Sequence, residues 1–196
     1  MFEVQQVRPV EVRFHLMSLY LLNRDRDISQ EYRARIALGR NVGRVVMAAA
    51  GEHGEEVLSP LYTALGRRIH NERREPDRDT LAEALAEVGL SSGLLAAADS
   101  EELDGLVEAS HTDGQQRVGL DVGTPIISVE GVSFFGPVVT PAPVGEEAGK
   151  LWDGVVLVAA TPGFYELKRT REERPRFDVG AAAVHSGQLA AATAGR

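Results

Sequence analysis

Val122-Gly123-Thr124-Pro125-Ile126-Ile127 is the stretch on which the fold turns. It stands between a helical block and a β-rich run that continues through Ser128-Val129. Glu130-Gly131 follows, then a second apolar run, Val132-Ser133-Phe134-Phe135. Two short β-prone runs around a two-residue turn containing glycine predict an antiparallel hairpin over 126–135. Pro125 at its entry has two readings. Proline is tolerated at the first residue of a strand, where no ladder donor is lost, and a generic X-Pro bond is cis in only about 5–6% of cases. The other reading is a cis Thr124-Pro125 bond that turns the chain between helix and hairpin. Downstream, Gly145-Glu146-Glu147 opens a helical pattern carrying Leu151, Trp152, Val155, Val156 and Ala159.

Toward the N-terminus the period changes from two to 3.6. Residues 29–119 read as a run of helices. Ser29 caps the first, which carries Tyr32, Ile36, Val42, Val45, Val46 and Ala49 and is weakened by Gly39 and Gly43. Residues 55–71 make the next, with Pro60 in its first turn or as a kink. Asp77 or Asp79 starts a helix over 80–88 that Gly89 closes. A short helix covers 92–98, and Asp99 with Glu102 resembles a capping box before a longer one running to about 120. Upstream, Val10, Val12, Phe14 and Leu16 alternate with Glu11, Arg13 and His15, which predicts a half-buried strand over 10–22. Residues 2–7 look like the last two turns of an amphipathic helix, broken at Pro9. At the far end, Phe164, Tyr165 and Leu167 offer one more apolar face. Residues 171–196, charged and then Ala/Gly-rich, read as a disordered tail. The order of strand, helical block, hairpin and helix predicts an α/β fold with an all-helical insertion.

Composition narrows the chemistry. The chain has 196 residues, 43% hydrophobic and 26% charged, which is globular usage rather than disordered. A formal charge of -8 argues against nucleic acid as a partner. No apolar run reaches the ~18 residues of a spanning helix, and the first residues lack a secretory layout, so a cytoplasmic protein without a membrane partner is expected. Cysteine is absent. That excludes a disulfide framework, a thiolate metal site and a sulfur nucleophile from these residues. His15, His53, His70, His111 and His185 are scattered without ligand spacing, so no metal is expected. There is no G-x-S-x-G, and Gly39 with Gly43 reads as close helix packing rather than a phosphate loop. Asn23 ends the expected strand, at the kind of position where ligands gather in α/β sheets, or simply starts the turn over 23–27. Tyr32, one turn into the next helix, aims its hydroxyl at the same region or packs.

Longer strings add to these readings. Arg13-Phe14-His15-Leu16-Met17-Ser18-Leu19, Leu22-Asn23 and Glu31-Tyr32-Arg33 are the first. Val57-Leu58-Ser59-Pro60-Leu61-Tyr62-Thr63-Ala64, Ile69-His70-Asn71 and Ala82-Glu83-Ala84-Leu85 follow, then Val122-Gly123-Thr124-Pro125 and Phe134-Phe135-Gly136-Pro137-Val138. Gly149-Lys150-Leu151-Trp152-Asp153-Gly154 and Phe164-Tyr165-Glu166-Leu167-Lys168-Arg169-Thr170 complete the set. Together they resemble the DsbA-type thioredoxin-fold oxidoreductases, and among these the mycothiol-dependent nitroreductase branch, over about 2–178. The resemblance implies a thioredoxin-like core at 1–23 and 120–170 with a helical lid inserted at 24–119. It implies mycothiol as the reducing thiol and a small molecule or disulfide as substrate. Thr124 and Pro125 would be the cis-proline pair, and Asn23 and Tyr32 would line the substrate or thiol pocket.

The departure from the family is the Cys-Pro-Trp-Cys motif, of which this sequence has no trace. The resemblance therefore implies a fold lacking its first strand and most of its first helix, with no catalytic residue present. Two readings stand: a thiol–disulfide oxidoreductase left inactive by loss of the motif, with Met1 an internal methionine mistaken for, or used as, a start, or a cysteine-free relative that binds a small ligand or a partner.

Overall fold

Glu130 (φ 50°) and Gly131 (φ 82°) both occupy the left-handed region, as a type I′ turn requires of its two central residues. They join β1 (Ile126–Val129) to β2 (Val132–Phe135) in the two-stranded antiparallel sheet that the sequence predicts. In this computed structural model the described residues are 1–172 and 176. The expected tail at 171–196 falls outside them except at 171, 172 and 176. Backbone contacts divide the described residues into two compact units, one of residues 1–12 with 127–172 and 176, the other of residues 13–126.

The first unit holds the hairpin from residue 127 on, α1 (Phe2–Val7) and α7 (Gly145–Ala159). Small residues decide how α1 docks: the buried positions of α7 are Ala148 and Gly149. A Cβ on Gly149 would lie 2.7 Å from the Arg8 guanidinium carbon, so only glycine leaves that group its place. Arg8 donates to Asp153 at 2.7 Å and to Glu146 at 2.8 Å. At the start of α7 the Gly145 N–H donates to the Glu3 carboxylate at 2.8 Å. Glu3 thus satisfies one orphan donor and sets a negative charge against the positive end of the helix dipole. Beyond α7 the expected extra apolar face at Phe164, Tyr165 and Leu167 does not form. Gly163 (φ 80°) turns the chain away, residues 164–172 have no regular structure, and Tyr165 is 95% exposed.

The second unit is the helical block: α2 (Leu19–Leu22), α3 (Gln30–His53), α4 (Leu58–Gly66), α5 (Arg78–Glu87) and α6 (Asp104–Val118). Short 3-10 turns at Glu55–Val57, Ser92–Asp99 and Glu101–Leu103 and a π-turn at Arg67–Asn71 connect them. Local chemistry explains the boundaries. The Ser29 hydroxyl accepts from the Tyr32 N–H and the Asp77 carboxylate from the Thr80 N–H, each an N-cap. Pro60 sits in the first turn of α4, where its missing donor would be unpaired anyway. Gly89 (φ 74°) follows α5 as the expected stop. The core lies among α3, α4, α5 and the 92–99 turn, with Val45, Leu61, Thr80 and Leu85 wholly buried.

Two expectations are overturned here. The strand over 10–22 does not form: residues 9–18 have no regular structure, and Ser18 accepts from the Leu21 N–H to start α2. A strand exists only when a neighbour takes its backbone groups, and among the described residues β1 and β2 pair with each other alone. The alternation still chooses a face, because Phe14 and Leu16 pack on the helical core. The capping box at Asp99 is also absent. Asp99 ends the 3-10 turn and pairs with Arg78 at 2.9 Å, and extended Ser100 separates it from the next turn.

Candidate functional site

The residues singled out from sequence do not come together by direct bonding. The Thr124–Pro125 bond is cis, as are Gly136–Pro137 and Thr140–Pro141, and both Thr124 and Pro125 are exposed. Asn23 does not end a strand; it caps the C-terminus of α2. Its backbone N–H donates to the Leu19 carbonyl at 3.2 Å, its side-chain amide donates to the same oxygen at 2.8 Å, and the residue is buried. Tyr32 lies in the first turn of α3 and is exposed. Among the described residues no hydrogen bond joins Asn23, Tyr32 and Thr124.

What the helical unit does build is a cleft of about 240 Å³ lined by Ser18, Tyr20, Leu21, Arg24, Arg40, Asp104, Val107 and Glu108. α2 supplies one wall, α3 a second and α6 the third. Behind it Arg44, almost fully buried, donates to both carboxylate oxygens of Asp104 at 2.7 and 2.8 Å and to the Ala98 carbonyl at 3.0 Å. This bidentate fork is the strong form of a charge-assisted pair. Arg40, one turn earlier on the same face, donates to Asp104 as well and lies over the Tyr20 ring at 5.8 Å. Those bonds, from Arg44 first and Arg40 second, hold the Asp104 carboxyl well below the usual carboxylate range. At the rim Arg24 pairs with Glu108 at 3.5 Å.

His111, one turn beyond Glu108 on α6, is buried, and its Nδ1 has no partner among the described residues. Burial pushes its pKa down, and nearby Arg24 adds to that. No group of three or more carboxylates and imidazoles with metal-ligand geometry exists among the described residues. No described helix is long and apolar enough to cross a membrane.

The sequence reading missed Arg40, Arg44 and Asp104. The available signal was Arg44 interrupting the apolar face Ile36–Val45–Val46 four residues after Arg40, an unusual place for two cations unless a carboxylate meets them. The family model of the mycothiol-dependent nitroreductase Rv2466c, Rv2466c-like, matches residues 1–169.

The chain belongs to that family.

The Rv2466c-like match takes in the cleft, α3 to α6, the hairpin and α7. Among curated proteins the chain is similar to the uncharacterized protein Rv2286c of Mycobacterium tuberculosis. The two are 33% identical over 119 residues, which is 59% of this chain and 50% of that protein. The chain thus spans half the length of the curated relative it matches.

Proposed function

We propose that this chain is a member of a thiol-dependent oxidoreductase family, DsbA-like in fold and mycothiol-dependent in its relatives, that carries out no thiol chemistry with its own 196 residues. The observation behind the reading is the family match over 1–169 in a sequence without cysteine. Exchange with a low-molecular-weight thiol runs through a protein thiolate and a mixed disulfide. The sulfur atoms present are the thioethers of Met1, Met17 and Met47, which form neither. The donor set therefore does not fit mycothiol as a reductant at this chain, and no step through it follows. By family resemblance Thr124 and Pro125 form the loop that faces the missing cysteines, Asn23 and Tyr32 border the substrate pocket, and the protein works in the cytoplasm beside its thiol pool.

The second reading, a cysteine-free binding protein on the same fold, is favoured by one observation: the cleft at Arg40 and Asp104 is built from fixed side chains and needs no sulfur. Intact-mass spectrometry after incubation with oxidised mycothiol tests the leading reading. The mass should be unchanged. A thiol-sized increment removed by a reductant would overturn it.

A further inference from the structure

We infer that His111 is an acid-sensitive pin of α6: on taking up a proton it frees residues 108–118 from residues 15–24 and Ile126, while α3, α4 and α5 stay folded. Burial sets the first condition. α6 runs for 15 residues, yet its buried side chains are Val107 and His111. Its N-terminal end is also fastened by Asp104 to Arg40 and Arg44 of α3. Beyond Glu108 the buried anchor is His111, and Gly114 lowers the helix propensity of that half.

What that half holds sets the second. The Ser110 hydroxyl donates to the Leu16 carbonyl at 2.8 Å, and Glu108 pairs with Arg24 at 3.5 Å. His15 stands close enough to Asp113 to favour its ionised form. Gly114 brings the helix backbone against Ile126, whose Cδ1 lies 3.7 Å from where a Cβ would stand. Residues 108–114 therefore fasten both the chain entering α2 and the start of β1. Those partners are slight, since residues 9–18 have no regular structure and α2 is a single turn. No residue of α6 belongs to the hydrophobic core among α3, α4, α5 and the 92–99 turn. Segments held so lightly open apart from the core.

The chemistry of the ring sets the third. A neutral imidazole has one donor nitrogen and one acceptor, and an imidazolium has two donors. Gln115, one turn on, favours the charged form through a side-chain hydrogen bond, but buried Nδ1 has no partner among the described residues. A proton gained in place leaves a buried cation with an N–H and no acceptor. The charged groups that act on the ring are Arg24, from the chain after α2, and Glu108 of α6. Arg24 repels the imidazolium, and it also shares the Glu108 carboxylate. α3 contributes Arg40 and Arg44, whose charge Asp104 meets about two turns before His111. Glu101, in the turn preceding α6, faces the same two arginines. Residues 122–126 carry no charge. The neutral ring therefore suits the closed helix, and the charged ring suits an open one in which it reaches water. Burial first and Arg24 second hold the folded pKa below the ordinary value. Closure is thus complete above about 6.5 and is lost as pH falls through the folded value. The inference involves neither a thiol nor a ligand, so it can fail while the family reading stands, and the reverse.

The test is hydrogen–deuterium exchange of the full chain at pH 7 and pH 5, read amide by amide by NMR and corrected for intrinsic rates. In the parent, protection over 108–118 should fall about threefold or more, within the tenfold per pH unit that one linked proton allows. Amides of 42–49 and 58–65 should keep theirs. His15→Gln should behave as the parent does. His111→Leu and His111→Gln, which cannot take up the proton, should each abolish the fall. The ring carbons of His111 should titrate with a midpoint below that of a free histidine. Any of five results would overturn the inference: unchanged protection over 108–118 in the parent, an equal fall in the α3 and α4 core, the same fall in either His111 variant, its loss in His15→Gln, or an ordinary midpoint for the His111 ring.

Discussion

Replacing Asp104 with alanine strands a buried cation. Arg44 is almost fully buried, and Asp104 takes two of its hydrogen bonds, at 2.7 and 2.8 Å. Breaking a buried pair by removing one partner costs about 3–5 kcal/mol in general. Three features lower that here. The Asp104 side chain is 31% exposed, so water reaches the vacated space, and Glu101 stands 3.8 Å from Arg44 as a partial substitute. The Ala98 carbonyl also keeps its bond to Arg44. A loss of about 2–3 kcal/mol is therefore expected, from the unpaired-charge cost discounted for solvent. Urea unfolding at neutral pH, followed by helical circular dichroism, measures it. Adding Arg44→Met to Asp104→Ala should recover about half or more of the loss, because the charge that needed a partner is gone. An Asp104→Ala protein within about 0.5 kcal/mol of the parent, the usual range of a bland surface change, would refute the buried-pair account.

Four further outcomes follow from the same structure. Leu61→Ala empties a wholly buried position between α4 and its neighbours and should cost about 2–5 kcal/mol in the same urea assay. Gly149→Val places a branched carbon where the Arg8 guanidinium lies, and α1 amides should then exchange with deuterium faster than in the parent. His111, with its pKa pushed below the ordinary value by burial, binds a proton more readily unfolded than folded. Its contribution is complete above the unfolded value of about 6.5 and is lost as pH falls through the lower folded value. The urea midpoint should decline on acidification over that window in the parent and decline less in His111→Leu. Asp104, with its folded pKa held far below that of a free carboxylate, has the same sign at lower pH, losing its contribution only below about 3.9.

The parts of this structure legible from sequence are those decided by one residue acting on its own backbone. Ser29, Asp77 and Gly89 set helix ends through bonds within a turn, and Glu130-Gly131 sets the hairpin through two positive φ angles. The 10–22 stretch was misleading because alternation specifies a face, whereas a strand also needs a partner, and Ser18 instead offers a local cap that starts a helix. Asp99 failed as a capping residue for a related reason: its carboxylate is taken by Arg78, far off in sequence. The candidate site was the least legible. Asn23 and Tyr32 stand out only by place along the chain, and Asn23 spends its amide nitrogen on its own helix. The cleft depends on Arg40 and Arg44 of α3 meeting Asp104 of α6, a pairing that local pattern cannot register.

Turnover by the purified 196-residue chain bears most directly on the claim that a family built on thiol chemistry includes a chain without it. The measurement is reduction of an aromatic nitro compound by mycothiol, with the chain prepared in a host that makes no mycothiol enzymes and a heat-treated sample as the blank. The rate should equal the uncatalysed rate at every chain concentration, since no residue can form the mixed disulfide. A rate that rises in proportion to chain concentration, and that survives a second purification at constant specific activity, would contradict the account.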